Sequence, residues 1–92
     1  MVSEGDYVAI FNSVHRVMQA EKLLKERRLT ILLIPAPRTL QSDCGLALRY
    51  AAADRAAVED ALSEEKLIPE EIYLKTGEDY VRVPAHEKLR NK

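Results

Sequence analysis

The chain has 92 residues, of which 47% are hydrophobic and only 5% aromatic, and it contains no tryptophan. This length suits one small domain with a modest aliphatic core. Its 14 basic residues nearly balance its 15 acidic ones, and the formal net charge is -1. This balance argues against a nucleic-acid binder and against attachment to anionic lipid by charge alone.

The sequence predicts neither a membrane span nor an export signal. Its longest apolar stretch, residues 31–37, is much shorter than the ~20 residues that cross a bilayer. Residues 1–6 are acidic and polar, lack the basic and apolar regions of a signal peptide, and are expected to be disordered. One unpaired cysteine without an export signal predicts a reducing cytoplasm.

The first half of the chain predicts a strand, a helix and two more strands. A β-rich run at Tyr7–Phe11 is followed by Asn12 and Ser13, whose side-chain oxygens suit a helix start. The helix has its apolar positions at Val14, Val17, Met18, Ala20, Leu23 and Leu24. Residues 31–34 are continuously apolar, which predicts a strand buried on both faces, and a polar loop then leads to a third strand at residues 45–50.

The second half repeats a helix and a strand. Asp54 is a candidate cap for a helix whose buried stripe is predicted at Ala57, Val58, Ala61 and Leu62. The acidic residues Glu59, Asp60, Glu64 and Glu65 are expected on its solvated side. Residues 72–75 predict a fourth strand, and residues 80–83 suit a short additional one.

The order of elements is therefore β-α-β-β-α-β, which predicts an α+β fold. With right-handed crossovers this order gives a ferredoxin-like sandwich, an antiparallel sheet of strand order 4-1-3-2 with both helices on one face. We expect one domain over residues 7–83 and a charged, fraying tail over residues 84–92.

The only cysteine, Cys44, is the candidate reactive group. The predicted topology places the start of the third strand beside the first helix, near Ser13, where free N–H groups and the helix dipole favour a thiolate. His15 and Arg38 are candidate positive neighbours, whereas Asp43 opposes the anion. Ser42 and Asp43 also make the flank polar, and Gly45 leaves room for an approaching partner.

Each of these residues has a simpler interpretation. Cys44 can act as a small buried hydrophobe, although a buried loop would need partners for its polar groups. His15 and Arg38 can be solvated surface residues. No cofactor or metal is expected, because the chain lacks a CxxC pair, a glycine-rich phosphate loop and a strong zinc set.

Three segments carry a resemblance to a known family: residues 7–13, Arg38 with the two prolines before it, and residues 42–49. Together they resemble the putative selenium/sulfur (Se/S) carrier protein-like family, small bacterial domains of uncharacterised function, from about Tyr7 to Tyr73. The resemblance implies that Cys44 holds sulfur or selenium as a persulfide or selenopersulfide, with Gly45 and Arg49 completing the motif. It also implies a cysteine desulfurase or another donor, an acceptor enzyme, and a carrier rather than a turnover enzyme.

Two other functions stay open from the residues alone. In one, the protein is an interaction or regulatory module whose open sheet face, with Tyr7, Ala9 and Leu46 or Leu48, contacts a partner or a second copy in a homodimer. In the other, Cys44 is a redox sensor that forms an intermolecular disulfide or a glutathione adduct.

Overall fold

The computed structural model describes residues 2–42 and 44–86, and over these residues the chain forms one five-stranded antiparallel sheet with two α-helices. The strands are β1 (Tyr7–Ile10), β2 (Leu32–Pro35), β3 (Leu46–Tyr50), β4 (Glu71–Thr76) and β5 (Asp79–Val83). The helices are α1 (Val14–Glu26) and α2 (Arg55–Glu64), and a short 3-10 turn at Ala52–Asp54 leads into α2. The predicted α+β class is confirmed.

The strands lie in the order β2-β3-β1-β4-β5, and each neighbouring pair is antiparallel. The central strand β1 pairs Ala9 with Leu48 of β3 on one side and with Ile72 of β4 on the other. The strand count differs from the four-stranded scheme, because β5 pairs with β4 along its whole length rather than adding a minor extension. The end of β1, the start of β3 and the start of β4 therefore meet at one end of the sheet.

Both helices pack on the same face of the sheet. From the sheet, this core takes Ala9, Leu48 and Tyr50, and from the helices it takes Val17, Ala20, Leu24, Val58, Ala61 and Leu62. All of these side chains are buried, and removal of their apolar surface from water is the main stabilising contribution to the fold. The apolar stripes of both helices thus cover one face of the sheet.

The opposite face of the sheet is covered by irregular chain. Val8, Ile10, Ile34 and Ala47 form a second buried cluster, against which Val2, Ala36 and Leu40 pack from the N-terminal segment and from the loop after β2. The predicted open face is therefore wrong in its residues: Tyr7, Ala9, Leu46 and Leu48 pack in the helix-side core, with Ala9 and Leu48 fully buried.

Strand β2 is an edge strand, and this position overturns the prediction that it is buried on both faces. Leu32 is 44% exposed and Pro35 is exposed, while Ile34 is buried. A continuous apolar run is compatible with a strand buried on both faces, but only the packed structure shows which of its side chains are covered. Pro35 lacks an N–H group, which is tolerated at a sheet edge.

The helix predictions need three corrections. Val14 and Met18 of α1 are 51% and 44% exposed, because its buried stripe consists of Val17, Ala20 and Leu24. Ala57 of α2 is exposed, and the buried acidic residue Glu59 takes its place in the stripe. The side chain of Asp54 makes no capping hydrogen bond, although Asp54 does precede α2.

The segments on either side of the predicted domain contact it. The Gly5 N–H donates to the Lys75 carbonyl at 2.9 Å, and Asp6 is buried. After β5, Pro84 and His86 contact α2. Residues 87–92 of the predicted tail lie outside the described residues.

Candidate functional site

Cys44 lies where the loop between β2 and β3 closes. The Ala36 N–H donates to the Gly45 carbonyl at 2.9 Å, which extends the pairing of the two strands by one step beyond Pro35 and Leu46. Gly45 has φ +73°, in the left-handed region that glycine adopts without a steric penalty. Cys44 is therefore held directly beside the last bonded residue pair of a hairpin.

Ser42, two residues before Cys44, is hydrogen-bonded to the residue that follows the cysteine. Its Oγ accepts a hydrogen bond from the Gly45 N–H at 3.1 Å and lies 3.6 Å from Cys44 Sγ. A hydroxyl that bonds to the backbone three residues further on stabilises a turn. The structure thus brings together three predicted site residues, Ser42, Cys44 and Gly45. Asp43, between them, lies outside the described residues.

The thiol is half-buried and packs against the core between the sheet and the helices. Its Sγ lies 3.3 Å from the Leu46 carbonyl oxygen and 3.5 Å from the Phe11 carbonyl oxygen. Both carbonyl oxygens are within reach of the single S–H proton as acceptors, so of the three polar contacts only the Ser42 hydroxyl can donate to sulfur. The contact with Phe11 puts Cys44 at the end of β1, just before the segment that leads into α1.

One free N–H donor at the start of α1 is bonded within the helix turn itself. Ser13 is the N-cap residue, and its Oγ accepts from the Arg16 N–H at 3.1 Å. The Ser13 carbonyl accepts from the Val17 N–H. His15 is exposed, and so is Arg38 in the loop after β2. Ser13 therefore serves the helix directly, whereas the predicted support of a thiolate by His15 and Arg38 stays a prediction.

Arg49 lies on the other side of the sheet from the thiol. It pairs in register with Val8, whose side chain belongs to the second cluster, while Cys44 packs against the helix-side core. The Arg49 Nε donates to Asp6 Oδ2 at 3.0 Å, and both side chains are largely buried. The structure thus does not bring Arg49 to Cys44, and it shows an ion pair that ties β3 to the N-terminal segment.

Sequence reasoning missed a buried polar cluster on α2. Glu59 is only 4% exposed, and its carboxylate accepts from the Tyr50 hydroxyl at 2.6 Å, from Arg55 Nε at 3.2 Å and from the His86 N–H. Burial, followed by the negative charge of Glu59, raises the pKa of Tyr50 well above its ordinary value. The spacing of Arg55 and Glu59, four residues apart on a helix, was the available signal for the ion pair. Nothing in the local pattern showed that Glu59 would be buried.

A cleft of about 310 Å³ opens between the start of β4 and the end of β5. It is lined by residues 69–72 and 82–85. Two of its lining residues, Arg82 and Glu71, form an ion pair in which Nη1 lies 3.6 Å from Oε2. The cleft shares an end of the sheet with Cys44, but two strand pairings separate β4 from β3.

Two general properties bear on the kind of site. Among residues 2–42 and 44–86, no group of three or more His, Cys, Asp or Glu side chains is arranged to hold a metal ion. Over the same residues, no helix combines the length and apolar character that crossing a membrane requires.

A family model identifies the class of protein. The chain belongs to the putative Se/S carrier protein-like family, whose model matches residues 6–74. The match covers β1, β2, β3, the first four residues of β4, both helices, and the loop that presents Cys44. Searches of the curated proteins and of the solved structures found no match.

Proposed function

We propose that this protein carries sulfur or selenium on Cys44 and passes it from a donor enzyme to an acceptor enzyme. The observation that carries the proposal is the family match across the Cys44 loop, combined with the fact that Cys44 is the only cysteine in the chain. The partial exposure of the thiol at a hairpin loop supports the same function, because two partners must reach the sulfur in turn.

The chemistry is a transfer without net oxidation. The Cys44 thiolate attacks the terminal sulfur of a persulfide on the donor, a new S–S bond forms, and the donor's cysteine leaves as a thiolate. An acceptor nucleophile later attacks the terminal sulfur held on Cys44, and the Cys44 thiolate is released. With selenium, the terminal atom is selenium and the bonds made and broken are S–Se bonds.

A single cysteine suits this chemistry. A second thiol within reach would attack the inner sulfur of the persulfide and discharge it as an intramolecular disulfide. With one cysteine in the chain, the persulfide has no internal competitor. A carrier of this kind needs a reducing compartment, and we propose the cytoplasm, with a cysteine desulfurase as donor.

We also propose that the fold is the ferredoxin-like arrangement with one strand added. The support is the sheet order, in which β4, β1, β3 and β2 are consecutive neighbours and β5 extends the β4 edge. In this arrangement the Cys44 loop lies at the end of the sheet that β1, β3 and β4 share.

The test is persulfide loading followed by intact mass measurement. The protein is incubated with a cysteine desulfurase and cysteine, and we expect the mass to rise by one sulfur atom on Cys44. Cys44→Ser should gain nothing. Ser42→Ala, which keeps the thiol but removes the hydroxyl 3.6 Å from Sγ, should still load, at a changed rate.

A competent known acceptor in a parallel tube controls for the desulfurase. If that acceptor gains sulfur and the wild-type protein does not, the carrier function is refuted. If sulfur is gained equally by wild type and Cys44→Ser, the modification is not on the thiol and the role of Cys44 is refuted.

A further inference from the structure

The side chains of Arg55 and Glu59 bind main-chain atoms of the segment that follows β5. Arg55 donates through its NH2 group to the Pro84 carbonyl oxygen, and the Glu59 carboxylate accepts from the His86 N–H. In an extended chain, the carbonyl of one residue and the N–H two residues later point to the same side. Arg55 and Glu59, one helical turn apart, therefore make the two hydrogen bonds to this segment that a neighbouring strand would make in a sheet.

Both side chains are held in place by residues other than the segment they bind. The Arg55 guanidinium lies over the Tyr7 ring, 4.5 Å from its centre, and donates to the Tyr7 hydroxyl. Glu59 is held by the Tyr50 hydroxyl, and the Tyr7 and Tyr50 rings are stacked 6.0 Å apart. Because these contacts do not involve the segment, they remain available to orient the two groups when the segment leaves.

We propose that Arg55 and Glu59 form a binding site for the main chain of an extended peptide, and that its occupant is the chain's own segment beginning at Pro84. The contacts are to backbone atoms, so the site recognises an extended conformation more than a particular side chain. One side-chain contact accompanies them: the His86 imidazole Nε2 lies 3.8 Å from Asp60 Oδ1. We call the attached segment, residues 84–86, the strap. An unattached peptide with the same sequence can replace it in the site.

The test separates main-chain from side-chain recognition with two full-length variants. His86→Pro removes the N–H that Glu59 accepts, whereas His86→Ala keeps this N–H and removes only the imidazole. His86 follows the last strand, so both variants leave the sheet and its pairing intact. The probe is a fluorescein-labelled peptide with the sequence of residues 83–92, and its binding is measured by fluorescence anisotropy.

We expect the peptide to bind His86→Pro at least about tenfold more tightly than wild type or His86→Ala. In those two proteins the attached strap competes at an effective concentration that is typically millimolar for a short connection. The same peptide carrying His86→Pro should not bind any of the three proteins, because it lacks the donor.

Two results would overturn the proposal. One is that the peptide fails to bind His86→Pro, which would mean that Arg55 and Glu59 do not accept a peptide from solution. The other is that His86→Ala binds the peptide as tightly as His86→Pro, which would mean that the imidazole, not the main chain, holds the strap.

Discussion

The hydrogen bond between Tyr50 and Glu59 should make the protein sensitive to alkaline pH. Tyr50 is 1% exposed, and its hydroxyl donates to the buried Glu59 carboxylate. Burial first, and the Glu59 charge second, raise the pKa of Tyr50 far above that of an exposed phenol. The folded protein therefore keeps the phenolic proton at pH values where an unfolded chain releases it.

The sign and size of the effect follow from this difference. An unfolded tyrosine titrates near pH 10, so below that pH both states keep the proton and the phenol adds no pH dependence. Above it the unfolded state holds fewer protons, and the free energy of unfolding falls by about 1.4 kcal/mol for each pH unit. The stabilisation is thus fully present below pH ~10 and is lost as the pH rises further.

Tyr50→Phe is the informative substitution. At neutral pH it removes one donor to a buried charge and should lower the free energy of unfolding by about 1.5–3 kcal/mol. Above pH ~10 the variant should lose stability less steeply than wild type, by about 1.4 kcal/mol per unit, because the titrating phenol is gone. Urea unfolding at pH 8, 10 and 11, roughly spanning the tyrosine range, measures both quantities.

Tyr73→Phe is the comparison variant. A hydrogen bond to Glu71 also raises the pKa of Tyr73, but this ring is only partly buried, so Tyr73→Phe should change the alkaline slope less than Tyr50→Phe does. Lysine and arginine titration is common to all three proteins and cancels in the comparison. Equal alkaline slopes for Tyr50→Phe and wild type would refute the reasoning.

Two further substitution pairs test the fold, each by urea unfolding at neutral pH. Ser13→Ala should lower the free energy of unfolding by about 1 kcal/mol, because it removes the hydroxyl that accepts from the Arg16 N–H. Asn12 is the exposed neighbour, and Asn12→Ala should lower it little. Equal losses in the two variants would contradict the capping role of Ser13. Leu48→Ala should lower the free energy of unfolding by about 2–5 kcal/mol, since the Leu48 side chain is fully buried. Leu32→Ala, at the exposed edge, should lower it by less than about 1 kcal/mol. A larger loss at Leu32 would contradict the edge position of β2.

Several features of the fold were predictable because they depend on local pattern and chain order. The helical spacing of the apolar residues predicted that α1 is amphipathic, and three of the six predicted positions, Val17, Ala20 and Leu24, form its buried stripe. Ser13 was recognisable as a cap from its residue type and place. The order of strands and helices, with the usual crossover handedness, predicted that the loop before β3 would lie at the end of β1, where Cys44 Sγ contacts the Phe11 carbonyl.

Other features depended on contacts between distant parts of the chain. Arg49 stands one residue after Leu48 and so points to the opposite face, but its partner Asp6 lies 43 residues away. Glu59 looked like a solvated residue of an acidic run, and it is buried because Tyr50 and His86 meet it from two other segments. The apolar run of β2 could not reveal that Leu32 and Pro35 are exposed while Ile34 is buried.

The division has a physical reason. Helical periodicity and capping depend on interactions within a few residues, so the sequence of each segment is enough to predict them. Burial of a charge, the exposure of an edge and the surroundings of a thiol depend on which segments pack together in three dimensions. For this protein the sequence singled out Cys44 as the candidate reactive residue, and the packed structure supplied its contacts: two carbonyl oxygens, one hydroxyl and a position beside the core.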